Sequence, residues 1–467
     1  MKFPFVGDAY SARSINVNGS ACINLYPEVE PGNSKSVLAL FGTPGTVSRE
    51  TLAAASQVRG CFEYDGTAYW VSGDKLYSMD SNYNSTELGT LNTFVGYVSM
   101  ATNGLVLLIV DGQDGYTFTY SSSTFAQIAD ADFPPNPLRC DLLDNTFIVI
   151  EGGTQRFWIS TDGTTWDGAD FASAETSPDN LVSLIVDHQE LLLGGVETVE
   201  VWYNSGDATF TFSRRSTIET GVSGPAAMCK ADNSVFFLGS DKVVWRLQGY
   251  TPVRVSTHAI EYAINQFSTV EDCIMWTQKE EGHVFVWLQF PTGNQTWVYD
   301  VASNMWHRRA WRDTENGQLQ RHRANCYLFY NDTHLVGDFE DGRILELSLD
   351  VYDDDGDPLP AIRVCGPVVN SNERPLGHSS LTVDIQAGVG LVGEDDPQIM
   401  LKWSNDNGHT WGNEITRSMG AVGEYNSRAR WNRLGRVHYP NSRVYWVEIS
   451  DPVKRVIIGA DLTVRAT

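Results

Sequence analysis

Two stretches of this chain place serine, aspartate, glycine and tryptophan at the spacing of a tight turn. Ser404-Asn405-Asp406-Asn407-Gly408-His409-Thr410-Trp411 fits the pattern S-x-D-x-G-x-T-W, the Asp box, and Ser160-Thr161-Asp162-Gly163-Thr164-Thr165-Trp166 is a variant one residue shorter. In such a turn the carboxylate accepts backbone N–H bonds, the glycine takes φ > 0 and the tryptophan packs beneath. Ser404, Asp406, Gly408 and Trp411, with Ser160, Asp162, Gly163 and Trp166, are therefore read as structural turn residues and not as a catalytic set.

Other chemistry-bearing patterns lead no further. Gly388-Val389-Gly390-Leu391-Val392-Gly393 matches G-x-G-x-x-G. A dinucleotide site would need a helix opening there, with its N-terminus toward the pyrophosphate. The next residues are Glu394-Asp395-Asp396-Pro397, acidic and broken by proline. Asp353-Asp354-Asp355-Gly356-Asp357 suggests calcium, but an EF-hand register would put its first aspartate on Val351 and its last glutamate on Ile362. A solvated acidic turn is expected. No H-E-x-x-H, nucleophile elbow or Walker sequence occurs, and His188, His258, His283 and His334 lie apart without metal spacing. No catalytic residue, metal or cofactor is assigned. The seven cysteines form no C-x-x-C pair and read as reduced thiols.

The elements that carry these residues follow a period. Phrases of apolar run, polar turn, apolar run, glycine turn and aromatic run open at Cys61, Ser99, Cys140, Leu184, Cys229, Ile274 and Cys326, at intervals of 38, 41, 44, 45, 45 and 52 residues. A four-stranded β-propeller blade takes ~40–50 residues. The fold class predicted is all-β: a propeller of six or seven blades over residues 51–350 plus a small antiparallel β-sandwich platform over 379–467. Residues 1–50 are expected to pack with the platform, and 351–378, rich in Pro, Asp and Asn, to be a linker or crossing. Pairing of Ile23–Tyr26 and Val37–Phe41 with the platform predicts that deleting residues 1–45 destabilises it and spares the propeller. Short helices are considered only around Glu50–Ser56 and Thr257–Phe267. No run of apolar residues is long enough for a transmembrane helix.

The net charge is −25. Residues 378–467 hold ten basic and ten acidic side chains, so the whole excess lies in 1–377. Such a chain is not built to bind nucleic acid by neutralising phosphates. Arginine concentrates in two places, and both are candidate protein–protein contacts. One is Arg308, Arg309, Arg312, Arg321 and Arg323, read as a long basic connection between Trp297 and Cys326. The other is Arg428, Arg430, Arg433 and Arg436 in the platform.

The opening of the chain adds a resemblance. Cys22-Ile23-Asn24-Leu25-Tyr26-Pro27-Glu28 and Leu40-Phe41-Gly42-Thr43-Pro44-Gly45 resemble the start of the tail-hub, or tail-nozzle, proteins of short-tailed bacteriophages, also called packaged-DNA stabilisation proteins. Further similar phrases are Trp245–Tyr250, Ile260–Ile264, Trp403–Gly408 and Ile449–Arg455. The resemblance implies a virion structural protein, not an enzyme, assembled in the host bacterial cytoplasm. It implies a homohexameric ring below the portal–adaptor complex that retains packaged DNA and conducts it at ejection without binding it specifically. Tailspikes or fibres, and a tail plug or needle, are the further partners it implies. An acid-rich wall would let the duplex slide. The alternative is a sialidase-like glycoside hydrolase or a glycan-binding propeller. Sialidase propellers carry Asp boxes away from the active site, and a glycosidase needs paired carboxylates at the channel mouth.

Overall fold

The repeat folds into a ring of seven blades in the computed structural model, which describes residues 4–466 apart from 31, 33–35, 208–209, 369–374, 391–395 and 439. Each blade is an antiparallel meander. Blade 1 begins with Val58–Tyr64, blade 2 with Ser99–Thr102, blade 3 with Pro137–Leu143 and blade 4 with Leu181–Asp187. Blades 5, 6 and 7 begin with Met228–Ala231, Ile274–Glu280 and Ala324–Tyr330. The first strands stand side by side around the axis. Ser99 Oγ donates to Cys140 O at 3.1 Å between blades 2 and 3, and Asn325 Nδ2 donates to Val58 O at 2.8 Å between blades 7 and 1.

Composition explains the layering within a blade. Second strands such as Val106–Val110 are apolar and buried throughout, because neighbouring blades cover both faces. Fourth strands such as Ser85–Thr90 lie at the rim and are polar. Two-residue turns join first and second strands in six of the seven blades. Asp65-Gly66, Asp144-Asn145, His188-Gln189, Asp232-Asn233, Glu281-Gly282 and Asn331-Asp332 all have positive φ at both residues, the type I′ geometry that matches strand twist.

The ring closes with a strand from the other end of the chain. Gly45–Thr51 pairs with Arg343–Ser348 and is the outer strand of blade 7. The acidic turn after blade 7 fastens it. Thr46 Oγ1 donates to Asp354, Ser48 N–H donates to Asp355 Oδ1 at 2.9 Å, and Arg343 Nη1 lies 2.6 Å from Asp355 Oδ2. The expectation of a solvated acidic turn is therefore corrected. Asp354 is buried, and burial pushes its carboxyl up to about 6 against the Thr46 bond.

The sandwich takes strands from both ends. One sheet continues blade 6: its outer strand Met305–Arg312 leads through Gly19–Ile23 and Ala361–Val364 to Val444–Ile449, Gln398–Ser404 and Ile415–Ser418. The other runs Leu25–Val29, Leu38–Gly42, Val456–Ala466, Leu376–Ile385, Ala429–Asn432. The segment read as a linker thus contributes an inner strand, Ala361–Val364, and its residues 369–374 lie outside the described residues. The N-terminal strands also touch the propeller. Tyr26 packs with Trp276, Phe285 and Trp287 of blade 6, so removing residues 1–45 would strip that blade as well as the platform.

One α-helix is present among the described residues, His258–Asn265, capped by Thr257. Glu50 and Thr51 end the closing strand instead of opening a helix, since pairing with blade 7 outweighs local propensity.

His378 gives the sandwich a pH dependence. It is buried, with Nδ1 2.7 Å from the Tyr445 hydroxyl. Burial, and then the nearby Arg443 charge, hold its pKa down at about 4. The folded value lies below the unfolded one, so the unfolded chain takes the proton first as pH falls. Stability from this site is complete above about pH 6.5 and declines toward pH 4, by about 2–3 kcal/mol in all. His378→Gln should flatten that slope in urea titrations run between those pH values. An unchanged slope would show that the site is not pH-linked.

Candidate functional site

The two N-terminal phrases meet where propeller and sandwich join. Asn24 comes directly after the strand Gly19–Ile23, is fully buried and has φ 52°. Its Nδ2 donates to Ala310 O at 2.8 Å and to Pro360 O at 2.9 Å, and its Oδ1 accepts from Ala310 N–H at 2.9 Å. Its own N–H donates to Arg308 O at 2.9 Å. One side chain thus ties the N-terminal segment to blade 6 and to the chain entering the sandwich. Asparagine suits this place because it tolerates left-handed backbone and both donates and accepts.

The Leu40–Gly45 phrase crosses from the sandwich to the closing strand. Gly42 N–H donates to Arg455 O at 2.8 Å, and a Cβ at Gly42 would sit 3.2 Å from Arg455. Gly45 N–H donates to Val351 O at 3.0 Å, and a Cβ there would lie 2.3 Å from Asp353 O. Only glycine fits so close an approach. Arg455 itself is buried and donates to Leu359 O at 2.5 Å; burial lowers its pKa to about 10. Arg363, also buried, donates to Phe5 O at 2.6 Å and Asp8 O at 2.8 Å. Arg312 of blade 6 reaches Glu448 of the sandwich at 2.7 Å.

Two cavities lie where the first strands of the blades converge. A cavity of about 180 Å³ is lined by Cys61, Tyr97, Arg139, Cys140, Asp141 and Trp276, among others. Arg139 donates to Ser183 Oγ at 3.0 Å and Pro225 O at 2.8 Å, spanning blades. Both Asp141 oxygens accept backbone N–H bonds, from Leu142 and Val186 at 2.8 Å each. A cavity of about 440 Å³ that also borders Tyr97 contains Arg59, Glu271, Asp272 and Arg321. There Arg59 donates to Val95 O at 2.6 Å and Thr93 O at 3.0 Å. The Glu271 carboxylate is held low by Thr269 and nearby backbone N–H groups, which favour its ionised form. These polar groups brace loops. The seven cysteines are free, and burial pushes the thiols of Cys140 and Cys229 up to about 12, which keeps them unreactive.

The arginine assignments divide. The segment read as a basic connection is largely strand: Met305–Arg312, Leu319–Arg321 and Ala324–Tyr330. Arg309, Arg321 and Arg323 are buried, which corrects their reading as contact residues. Arg309 lies over the Phe285 and Trp287 rings at 5.2 and 4.3 Å, and Arg321 over Phe339 at 4.1 Å. Arg323 pairs with Asp338 at 2.5 Å. Arg308 and Arg312 are half-buried; Arg308 stacks on Trp297 at 5.7 Å. Sandwich and blade 7 cover the arginines, and the aromatic rings beside them make that burial tolerable. Arg428, Arg430, Arg433 and Arg436 are exposed.

Both Asp-box segments are turns. Thr410 N–H and Oγ1 donate to Asp406 at 2.8 and 2.6 Å, and Gly408 has φ 102°. The Ser404 and Thr410 hydroxyls hold the Asp406 carboxyl below the usual carboxylate range. Thr164 and Thr165 N–H donate to Asp162 at 2.8 and 2.7 Å. Gly163 N–H donates to Ser160 Oγ at 2.9 Å, and Trp166 is buried against Phe133. Trp411 is half-exposed and packs edge-on to Trp446 at 5.3 Å. Of the G-x-G-x-x-G stretch, Gly388–Gly390 is irregular and not helical, and residues 391–395 lie outside the described residues.

Residues 1–352 match the family described as bacteriophage P22 Gp10, beta-propeller, and residues 361–465 match the one described as bacteriophage P22 Gp10, beta-sandwich. No curated protein sequence matches the chain. Among solved structures, it is similar to the extracellular domain of a one-component system from B. thetaiotaomicron, at TM-score 0.45 and 12% identity, over 67% of this chain and 41% of that one.

Proposed function

This chain belongs to the bacteriophage P22 Gp10 family, a family of phage tail proteins with a structural role, and from that premise we propose that it is a wedge of the tail hub or nozzle. Copies assemble, as a hexamer, into a ring below the portal–adaptor complex. The ring retains the packaged genome and later conducts it into the host, and it offers seats for tail fibres or spikes and for a plug or needle. The protein does no covalent chemistry in this role.

The observation that carries this reading is the family match over both the propeller and the sandwich. The cavities among the first strands, of about 180 and 440 Å³, are too small for a duplex, so the conduit of this reading lies between copies. A glycosidase would need two free carboxylates facing one cavity. Glu271 and Asp272 do line the cavity of about 440 Å³, and a sialoside reporter decides that alternative. The net charge of −25 keeps a passing duplex from exchanging its counterions for protein cations. The buried joint at Asn24, Gly45 and Arg455 suits a part that bears load between two bodies.

The test is the mass of the phage portal–adaptor complex before and after mixing with purified protein. Stoichiometric addition as a ring is expected, with no release of product from a sialoside reporter. Failure to add, or a measured hydrolysis, would overturn the reading.

A further inference from the structure

Ala429–Asn432 and Ile415–Ser418 are the outermost sandwich strands of their two sheets, and Arg417 Nε donates to Arg430 O at 3.1 Å between them. Arg417, Arg428, Arg430, Arg433 and Arg436 are exposed here. Among the described residues, none of the five forms an ion pair. The loop joining the strands also exposes Val422 at 60% and Tyr425 at 74%. A bare basic edge with an exposed tyrosine and valine has the composition of an interface. The ordinary role of edge charge, keeping strands from aggregating, does not need the two apolar side chains as well.

The propeller supplies the complement. In a ring of identical meanders, every turn between first and second strands falls on one face. Five of the seven blades set a carboxylate in that turn: Asp65, Asp144, Asp232, Glu281 and Asp332, all exposed. Neither Lys nor Arg stands in any of these turns, although Arg246 from the same blade pairs with Asp232 at 2.7 Å.

We propose that the arginine edge of one sandwich docks on the carboxylate turns of the next copy's propeller. The contact is head-to-tail, the kind that closes into a ring when its rotation divides a full turn, as the adaptor template would impose. It also answers a physical problem of the proposed assembly, on which it rests: copies carrying a net charge of −25 repel one another unless each presents a local basic patch to its neighbour.

The experiment uses the full chain and the portal–adaptor complex, read by mass. Wild type first has to add as a ring; if it does not, the proposed function fails and not this contact. Arg430→Glu/Arg433→Glu/Arg436→Glu should melt like wild type, still add a first copy, and complete rings at about tenfold or more higher concentration. Asp65→Lys/Asp144→Lys/Asp332→Lys should do the same. An equimolar mixture of the two variants should restore rings, because each altered edge then meets an altered face. Undiminished ring completion by either variant, or no rescue on mixing, overturns the contact. Loss of first-copy addition overturns it too, since the edge would then serve the adaptor.

Discussion

Asn24→Ala should loosen the joint by about 4 kcal/mol or more. The substitution leaves Ala310 N–H, Ala310 O and Pro360 O without the partners they have in the wild type. Each buried unpaired backbone group costs about 1–3 kcal/mol. The position also holds φ 52°, which costs alanine about a further 1–2 kcal/mol. Asn24→Gly should therefore be milder than Asn24→Ala by about that amount, since it loses the same bonds without the backbone strain. Urea midpoints separate the two, and limited proteolysis should show the first strands released before the propeller opens. Equal midpoints for wild type and Asn24→Ala would show that these bonds carry no net stability.

Asp338→Ala should cost about 3 kcal/mol, the lower end for breaking a buried ion pair, because Arg323 keeps Glu340 and Asp341 as partners. Asp338 is fully buried at the end of Thr333–Asp338 in blade 7. It takes Arg323 Nε at 2.5 Å and Nη2 at 3.0 Å, a two-point pair, and Arg343 Nη2 at 3.3 Å. Arg323 lies between the Trp311 and Phe339 rings at 4.8 and 5.4 Å, and its Nη2 also reaches the exposed carboxylates of Glu340 at 3.1 Å and Asp341 at 3.5 Å. Through Arg343 and Asp355 the network reaches the backbone of Ser48 in the closing strand. Losing Asp338 should thus free the closing strand as well as lower the overall midpoint. Hydrogen exchange of the amides in Gly45–Thr51 is the direct readout, with acceleration expected. Replacing both Arg323 and Asp338 by apolar residues should cost less than Asp338→Ala alone. Protection unchanged from wild type would show that the network does not hold the ring shut.

The repeat was legible because each blade is local. Its strands succeed one another within 40–50 residues, and alternating burial leaves a pattern in the text. The blade count stayed open at six or seven, because the last blade borrows Gly45–Thr51 from nearly 300 residues upstream and no local signal marks the loan. The same reason hid Ala361–Val364, whose partners Gly19–Ile23 and Val444–Ile449 are distant on both sides. The arginines of 308–323 misled for a different reason. Composition assigns Arg to the surface, whereas here aromatic rings and a buried carboxylate from other strands absorb it. A signal existed in Trp306, Trp311 and Phe339, interleaved with the arginines as burial requires. Asp354 misled likewise, since its partner Thr46 lies at the other end of the chain. The phrases around Asn24 and Gly45 pointed to the family, and only the coordinates supplied their physical reason.

The closing strand of blade 7 and the shared sheets of the sandwich bear on synthesis. Leu38–Gly42 waits for Val456–Ala466, which meets it at Val456 and Ile457 and leaves the ribosome long after it. Gly45–Thr51 waits for Arg343–Ser348. Blades 1 to 5 can form while translation continues, but the N-terminal segment has no propeller partner until blade 6 emerges and is not fully paired until these late strands follow. A product terminated before them therefore lacks both the closed ring and the sandwich.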